Sequence, residues 1–232
     1  DFKTVTRLGV ITGMASESAC LNVFPADSRP TVRCAGANSA RANTIARELA
    51  QEGCQGLLSF GTAGGLTAGQ PPGGVIIASM VSAPDGRVFE TSKAWLERVQ
   101  NIVGSDDGVT IAGMAGSASV AATPVAKNEL GLATNAVAVD MESHAVGAAA
   151  QQAGVPFMII RAVADPVDRS IPGWVLGKIS DQGIPRYGAI LAGLAVHPWD
   201  LPGLVRLKSD SDRALRSLRG IAGRLGPLFG LG

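Results

Sequence analysis

The chain has 232 residues, of which 46% are hydrophobic and 17% are charged. This length fits one domain, and the apolar content excludes a largely disordered chain because it can fill a sizeable core. The 20 basic and 19 acidic residues leave a net charge of +1, which excludes nucleic-acid binding through overall positive charge.

Short apolar runs alternate with helical patterns along most of the chain. The predicted strands span residues 8–13, 31–36, 56–60, 74–82, 109–115, 136–139 and 156–163. The predicted helices span residues 39–53, 95–103 and 141–153. This alternation, with continuous apolar strands, predicts an α/β fold that has helices on both faces of the sheet.

The C-terminal residues have a different charge balance. Residues 200–232 carry six basic and three acidic groups, whereas residues 1–199 carry 14 and 16. Apolar residues and arginines follow helical spacing there, which predicts a basic amphipathic helix with an interruption near Gly220 and Gly223. Such a helix either packs on the body of the protein, the more frequent case, or lies on an anionic membrane surface. We predict a main domain over 1–199 and a helical extension of it over 200–232.

Cysteine usage and hydropathy favour a cytoplasmic protein. The three cysteines form no CxxC pair, which is typical of free thiols in a reducing compartment. The sequence contains no apolar run of about 18 residues, so we expect no transmembrane helix. We also expect no secretory signal.

Polar clusters follow several of the predicted strands, where open α/β sheets bind ligands. They comprise residues 13–17, the glycine-rich loop 61–65, residues 140–142 and Asp165. We therefore expect these clusters to meet at one edge of the sheet.

Three residues suit an anion. Gly61 lets the backbone approach a ligand closely, and Thr62 adds a hydroxyl, although a tight turn also explains this loop. Arg41 lies near a predicted helix N-terminus, where a cation and N–H donors can capture phosphate. The alternative for Arg41 is a solvated helix face.

Two acids suit a diol and a leaving group. Glu142 can accept hydrogen bonds from both hydroxyls of a ribose, or it can be an acid favoured by a helix dipole. Asp165 can share a proton with a leaving group, or it can be a turn residue before Pro166. The sequence has neither metal-ligand spacing nor a GxSxG motif, so we expect no metal site and no serine hydrolase.

Four stretches, taken together and in order, resemble the nucleoside phosphorylase and methylthioadenosine/S-adenosylhomocysteine nucleosidase superfamily. They are residues 9–17, 60–65, 139–143 and 161–165. Residues 139–144, 161–169 and the tail from 201 are similar to the hopanoid-associated phosphorylase family, which is assigned the removal of adenine from adenosylhopane. The resemblance implies a three-layer α/β/α sandwich with a mixed, mostly parallel central sheet. It also implies a homo-oligomer and a small-molecule or lipid-linked nucleoside substrate, with no cofactor except inorganic phosphate as a co-substrate.

The resemblance implies roles for the acids. Asp165 matches the acid that protonates the purine at N7, and Glu17 matches the carboxylate that activates water in the hydrolases. Met141 and Glu142 match the ribose clamp. Ala164 stands where these nucleosidases carry a serine that orients the acid, so that hydrogen bond is missing.

Other matched residues concern the base and the nucleophile. Gly61, Thr62 and Arg41 match or suit the phosphate or nucleophile pocket. Val120 matches the segment that reads the base, and Ser119 stands where the adenine-specific enzymes stack an aromatic ring.

The leading hypothesis is a cytoplasmic enzyme that removes adenine from adenosylhopane, by phosphorolysis if the family's name holds. Peripheral contact with the inner membrane face through residues 200–232 is the alternative to a tail packed on the body. The alternatives are a methylthioadenosine/S-adenosylhomocysteine-type nucleosidase that uses water, and a nucleoside-binding module without activity. A further alternative is a peripheral membrane scaffold built on residues 200–232.

Overall fold

The computed structural model describes residues 6–106, 108–178 and 186–231. In those residues the strands are β1 Leu8–Thr12, β2 Thr31–Cys34, β3 Gly56–Gly65, β4 Val75–Ser82, β5 Val88–Glu90, β6 Val109–Gly116, β7 Ala138–Asp140 and β8 Phe157–Asp165. The α-helices are α1 Ala15–Cys20, α2 Ser39–Gln51, α3 Lys93–Val103, α4 Pro124–Thr134, α5 Ser143–Ala153, α6 Tyr187–Val196 and α7 Leu201–Leu225. Three short 3₁₀ helices span Leu21–Val23, Gly173–Val175 and Pro198–Asp200.

The strands form one mixed sheet. Its order is β2-β1-β3-β7-β6-β4-β5, and β8 pairs with both β3 and β4, so part of the sheet closes on itself. Five strand pairs are parallel, namely β1–β2, β1–β3, β3–β8, β4–β6 and β6–β7, and the other three are antiparallel. The mostly parallel pairing brings the carboxyl ends of β1, β3 and β8 to one edge.

Helices cover both faces of the sheet because side chains alternate along each strand. Leu57 points into the core beneath α2 and α5, whereas Leu58 and Phe60 point into the core beneath α1, α3 and α7. This arrangement confirms the predicted mixed α/β fold with helices on both faces and a helix at the C-terminus.

The C-terminal helix differs from the sequence-based expectation in two ways. It runs unbroken through Gly220 and Gly223, because Leu218, Ile221 and Leu225 anchor both glycine-containing turns in the core. Its first nine residues are largely exposed or half-buried, while its second half is packed between the sheet and α1 and α3. The expected interruption is therefore wrong.

Other local predictions also need correction. The expected loop 61–65 is the end of β3, because its backbone pairs with β8 and β7. The helix predicted from Met141 begins at Ser143. The sequence analysis missed α1, α4 and β5, of which α1 and β5 are too short to show a period. Over the described residues, no helix is both long and apolar enough to cross a membrane.

Leu218→Ala should lower the free energy of unfolding by about 2–5 kcal/mol, because Leu218 is fully buried and its truncation leaves a cavity. Urea denaturation followed by circular dichroism measures the loss. The matched control on the same helix is Val205→Ala, at a side chain that is 60% exposed, where we expect a change within about 0.5 kcal/mol. Equal effects of the two substitutions would contradict the packing of α7.

Candidate functional site

A pocket opens where β1, β3, β7 and β8 end. Its lining residues come from segments that are far apart in the sequence: Gly13, Met14, Glu17, Ala37, Thr62, Ala63, Gly64, Ser119, Val120, Ala121, Val139, Asp140, Met141, Glu142, Arg161, Ala164, Asp165 and Ile171. The polar clusters that the sequence analysis selected after the strands thus converge on one cavity.

Glu17 is held at the floor of this pocket by four donors. Its Oε1 accepts hydrogen bonds from the Thr62 backbone N–H at 2.8 Å and the Thr62 hydroxyl at 2.7 Å. Its Oε2 accepts from the N–H groups of Gly13 and Met14, at 2.8 and 2.9 Å. The residue is 2% exposed. The donors that were expected to bind an external anion therefore already bind a carboxylate of the chain itself.

Gly61 is required by this arrangement. A Cβ at this position would lie 2.5 Å from Glu17 Oε2 and 2.7 Å from a guanidinium nitrogen of Arg161, closer than real Cβ contacts. Gly61 therefore makes room for two buried charged groups and does not line the pocket itself.

A buried arginine links two acids at one wall of the pocket. Arg161 Nε lies 2.7 Å from Asp140 Oδ2, and Arg161 Nη2 lies 3.2 Å from Glu142 Oε2. Asp140 also accepts hydrogen bonds from Ser143. Burial raises the pKa of Glu142 to about 7, although the charge of Arg161 opposes the shift. Glu142 therefore lies where it can accept hydrogen bonds from a diol, with Met141 beside it.

Asp165 also lines the pocket and is partnered by a lysine. Its Oδ2 is 2.6 Å from Lys127 Nζ, and its side chain is 14% exposed. Burial is the main cause that raises the pKa of Asp165, and the charge of Lys127 opposes it. The raised pKa that protonation of a base requires is thus present, with burial as its source.

The segment between β6 and α4 forms the remaining wall. Ser119 and Val120 both line the pocket, and Val120 remains 45% exposed to it and to solvent. The Ser119 carbonyl accepts a hydrogen bond from the Ser117 hydroxyl, which holds this turn. No aromatic side chain lines the pocket in the described residues.

Arg41 does not join the site. It is an exposed residue in the first turn of α2, where its backbone N–H donates to the Asn38 side chain that caps the helix. It is absent from the described lining of the pocket, so the expected cation of a phosphate site is not placed there.

The sequence analysis missed Lys127 and gave no role to Arg161 and Asp140. Arg161 and Asp140 lie within the recognised motifs, and an arginine inside an apolar strand is a signal of buried ion pairing. Lys127 gives no such signal, because it sits on a helix of mixed polarity at a position where most lysines are solvated.

Arg161→Met should lower the free energy of unfolding by about 3–5 kcal/mol at pH 8, because it leaves Asp140 and Glu142 buried without a cation. Burial raises the pKa of Glu142, so its ionised form costs folding free energy that grows as the pH rises through that pKa. The loss should therefore be smaller at pH 5.5 than at pH 8 in urea denaturation.

The control is Arg33→Met, which removes exposed ion pairs to Glu48 and Glu52 and should cost no more than about 1 kcal/mol. A loss at Arg161 that does not change with pH would contradict the electrostatic explanation.

Comparisons with known proteins agree with this architecture. The model of the phosphorylase superfamily matches residues 26–182. A search of curated proteins found no match. Among solved structures, the chain is similar to the 5′-methylthioadenosine/S-adenosylhomocysteine nucleosidase of Streptococcus pneumoniae in complex with 8-aminoadenine (17% identity, TM-score 0.72, 97% of this chain and 100% of that one).

Two Helicobacter pylori structures are also similar. One is the 5′-methylthioadenosine/S-adenosylhomocysteine nucleosidase (15% identity, TM-score 0.69, 94% and 98% of the two chains). The other is futalosine hydrolase (14% identity, TM-score 0.67, 94% and 98%). At such identities these likenesses establish the fold. The family model matches residues 26–182, which is more than half of the chain and agrees with the predicted phosphorylase-type enzyme, so the chain belongs to the phosphorylase superfamily.

Proposed function

We propose that this chain hydrolyses the N-glycosidic bond of a 5′-substituted adenine nucleoside, with water as the nucleophile. The observation that carries this proposal is the position of Glu17, whose carboxylate takes all four hydrogen bonds offered by Gly13, Met14 and Thr62. A phosphate in the same place would lose these donors and face a buried negative charge. Water faces no such repulsion, and it needs the base that Glu17 provides.

The reaction needs a proton at the base and an electron pair at the sugar. In our proposal Asp165 gives its proton to N7 of adenine while the bond between the base and C1′ breaks. Water forms the new bond to C1′ and gives its proton to Glu17 Oε1, at the lone pair that the Thr62 hydroxyl gives up by turning away. The positive charge that develops on the sugar is stabilised by the nearby carboxylates, and Glu142 binds the ribose hydroxyls.

Phosphorolysis is the less favoured reading. Arg161 is the one basic residue among the described residues that line the pocket, and Asp140 and Glu142 already neutralise it. An incoming phosphate would therefore lack a cation partner, since Arg41 lies outside the pocket.

The test is adenine release from 5′-methylthioadenosine in phosphate buffer and in phosphate-free buffer, followed by chromatography. We expect equal rates and a free sugar as the product. Asp165→Asn should reduce kcat by about 10²- to 10⁴-fold, because the variant has no proton to donate. A phosphate-dependent rate with a sugar 1-phosphate product would contradict the proposal.

Asp168→Asn is the matched control, because Asp168 is three residues away and its side chain is 71% exposed. It should keep the rate of the unsubstituted protein. A similar loss of kcat in both variants would contradict a specific role of Asp165 as the proton donor.

A second candidate substrate, adenosylhopane, is favoured by an apolar surface next to the pocket. Helix α6 has no charged residue, yet much of it is not buried. Val196, Trp199, Leu201 and Val205 continue this surface and are 66, 70, 50 and 60% exposed. Helices that are apolar on all sides are normally covered by protein or lipid.

This apolar surface is connected to the site through a short segment. Ile171 lines the pocket, and Trp174, three residues later, packs against Gly193 of α6. A nucleoside whose 5′ substituent is a lipid could thus leave the pocket toward a membrane. This reading moves the proposed membrane contact from the arginines of α7 to residues 187–205.

Sedimentation with vesicles of anionic phospholipid tests this contact, together with adenine release from adenosylhopane in the vesicles. We expect binding that Trp199→Ala weakens several-fold and that Leu132→Ala, at an exposed leucine on α4, leaves unchanged. Absence of vesicle binding would overturn the contact. An oligomer in light scattering that Trp199→Ala dissociates would instead assign the surface to a second copy of the chain.

A further inference from the structure

Lys127 is buried beside the proposed acid, and its ammonium group has three polar partners. The residue has no exposed surface, and its Nζ lies 2.6 Å from Asp165 Oδ2. The same Nζ donates to the carbonyl oxygens of Pro166 and Arg169, each at 2.9 Å. A buried lysine costs free energy unless its charge and all its donors are satisfied, as they are here. The ammonium thus ties α4 to the segment that carries the acid.

The two carboxylate oxygens of Asp165 differ in their contacts. Oδ2 is occupied by Lys127, whereas Oδ1 is buried and has no hydrogen-bond partner in the part of the chain that the structure describes. Asp165 lines the pocket. Lys127 therefore favours the ionised form of this carboxyl through Oδ2, because an ammonium donates hydrogen bonds and cannot accept one.

The charges around Asp165 come from three elements. Lys127 faces it from α4, Arg169 from the segment after β8, and Asp210 from α7. Asp210 is itself paired with Arg169 and Arg213, so its negative charge is largely neutralised. Lys127 is thus the only direct ion-pair partner of Asp165 among the described residues.

We propose that Lys127 is the positioning residue of the acid: it fixes the orientation of Asp165 at the wall of the pocket and stabilises the carboxylate that remains after proton transfer. The proton moves from the Asp165 carboxyl to the base, and the negative charge left on Asp165 lies next to the ammonium. The proposal depends on the proposed function for the identity of the base. In this proposal the charge of Lys127 takes the place of the hydrogen bond from a serine, because the chain has Ala164 at the position of that serine.

Three substitutions separate charge from hydrogen bonding. Lys127→Gln removes the charge but keeps two amide hydrogens for the carbonyls of Pro166 and Arg169. Lys127→Met removes both, and Lys127→Arg keeps the charge. Lys93→Met, at a lysine that is 85% exposed on α3, controls for the loss of a lysine as such.

The first readout is the pH dependence of kcat/KM for adenine release. Loss of the cation makes Asp165 keep its proton to higher pH, so the alkaline limb should move up by about 1–2 pH units in the Gln and Met variants. Lys127→Arg should return the limb toward its original position. In the Asp165→Asn background, Lys127→Gln should have no further effect on the profile, because Lys127 acts through Asp165.

The second readout needs no substrate and separates this proposal from the proposed function. Carbon-13 NMR titration of the Asp165 carboxyl, assigned by its loss in Asp165→Asn, should show the same upward shift in Lys127→Gln. If the unsubstituted protein releases no adenine but this shift is seen, the proposed function fails and the role of Lys127 stands. A titration that does not move, or a Gln variant that does not fold, assigns Lys127 to stability alone and overturns the proposal.

Discussion

The parallel pairing of β3 with β8 is the constraint on which the site depends. It sets Gly61 opposite Arg161, which lets the guanidinium reach Asp140 and Glu142 through space that a side chain at 61 would fill. An irregularity between Ala63 and Gly64 then shifts the register so that Asp165 lies opposite Gly64. Because side chains alternate along strands, a slip of one residue would exchange these polar groups with core residues. Arg161, which contacts Asp140 and Glu142, and Asp165 are therefore both positioned by one strand pair.

The charge balance of the pocket follows from this geometry and limits its chemistry. Four carboxylates line it, from Glu17, Asp140, Glu142 and Asp165, whereas the buried cations that contact them are Arg161 and Lys127. A pocket with excess negative charge stabilises a cationic sugar and repels a phosphate. Burial is the main cause that raises the pKa of both Glu142 and Asp165. The charges of Asp140 and Glu17 add to the shift at Glu142, whereas the neighbouring acid that adds to the shift at Asp165 is Asp210 of α7.

The sequence predicted the features that depend on residues close together in the chain. It did not predict the contacts between residues that are far apart in the chain. Apolar periodicity predicted most strands, and the polar residues after them predicted the members of the pocket, since parallel strands end at one edge. Glu17 was identified by resemblance, but its hydrogen bonds to Thr62 span 45 residues and could not be read from spacing. Arg41 was selected because a helix N-terminus is a plausible anion site wherever it lies, and the spacing could not show that it is exposed outside the lining of this pocket. Lys127 contacts Asp165 across 38 positions, and no local pattern marks such a pair.

The C-terminal helix is linked to the acid through a chain of polar contacts, although its composition suggested a separate extension. Asp210 on α7 is 2% exposed and accepts a hydrogen bond from Arg169 Nε at 3.1 Å. The carbonyl of Arg169 in turn accepts from Lys127, which contacts Asp165. A shift of α7 would therefore change the position of the segment 166–169 and the charge that Asp165 experiences. Of the basic residues of this helix, Arg213 pairs with Asp210 and so belongs to this chain of contacts, whereas Lys208 pairs with Asp212 and Arg224 with Asp106. The link between α7 and Asp165 therefore depends on one acid and one arginine of the helix, and its remaining positive charge does not contribute to it.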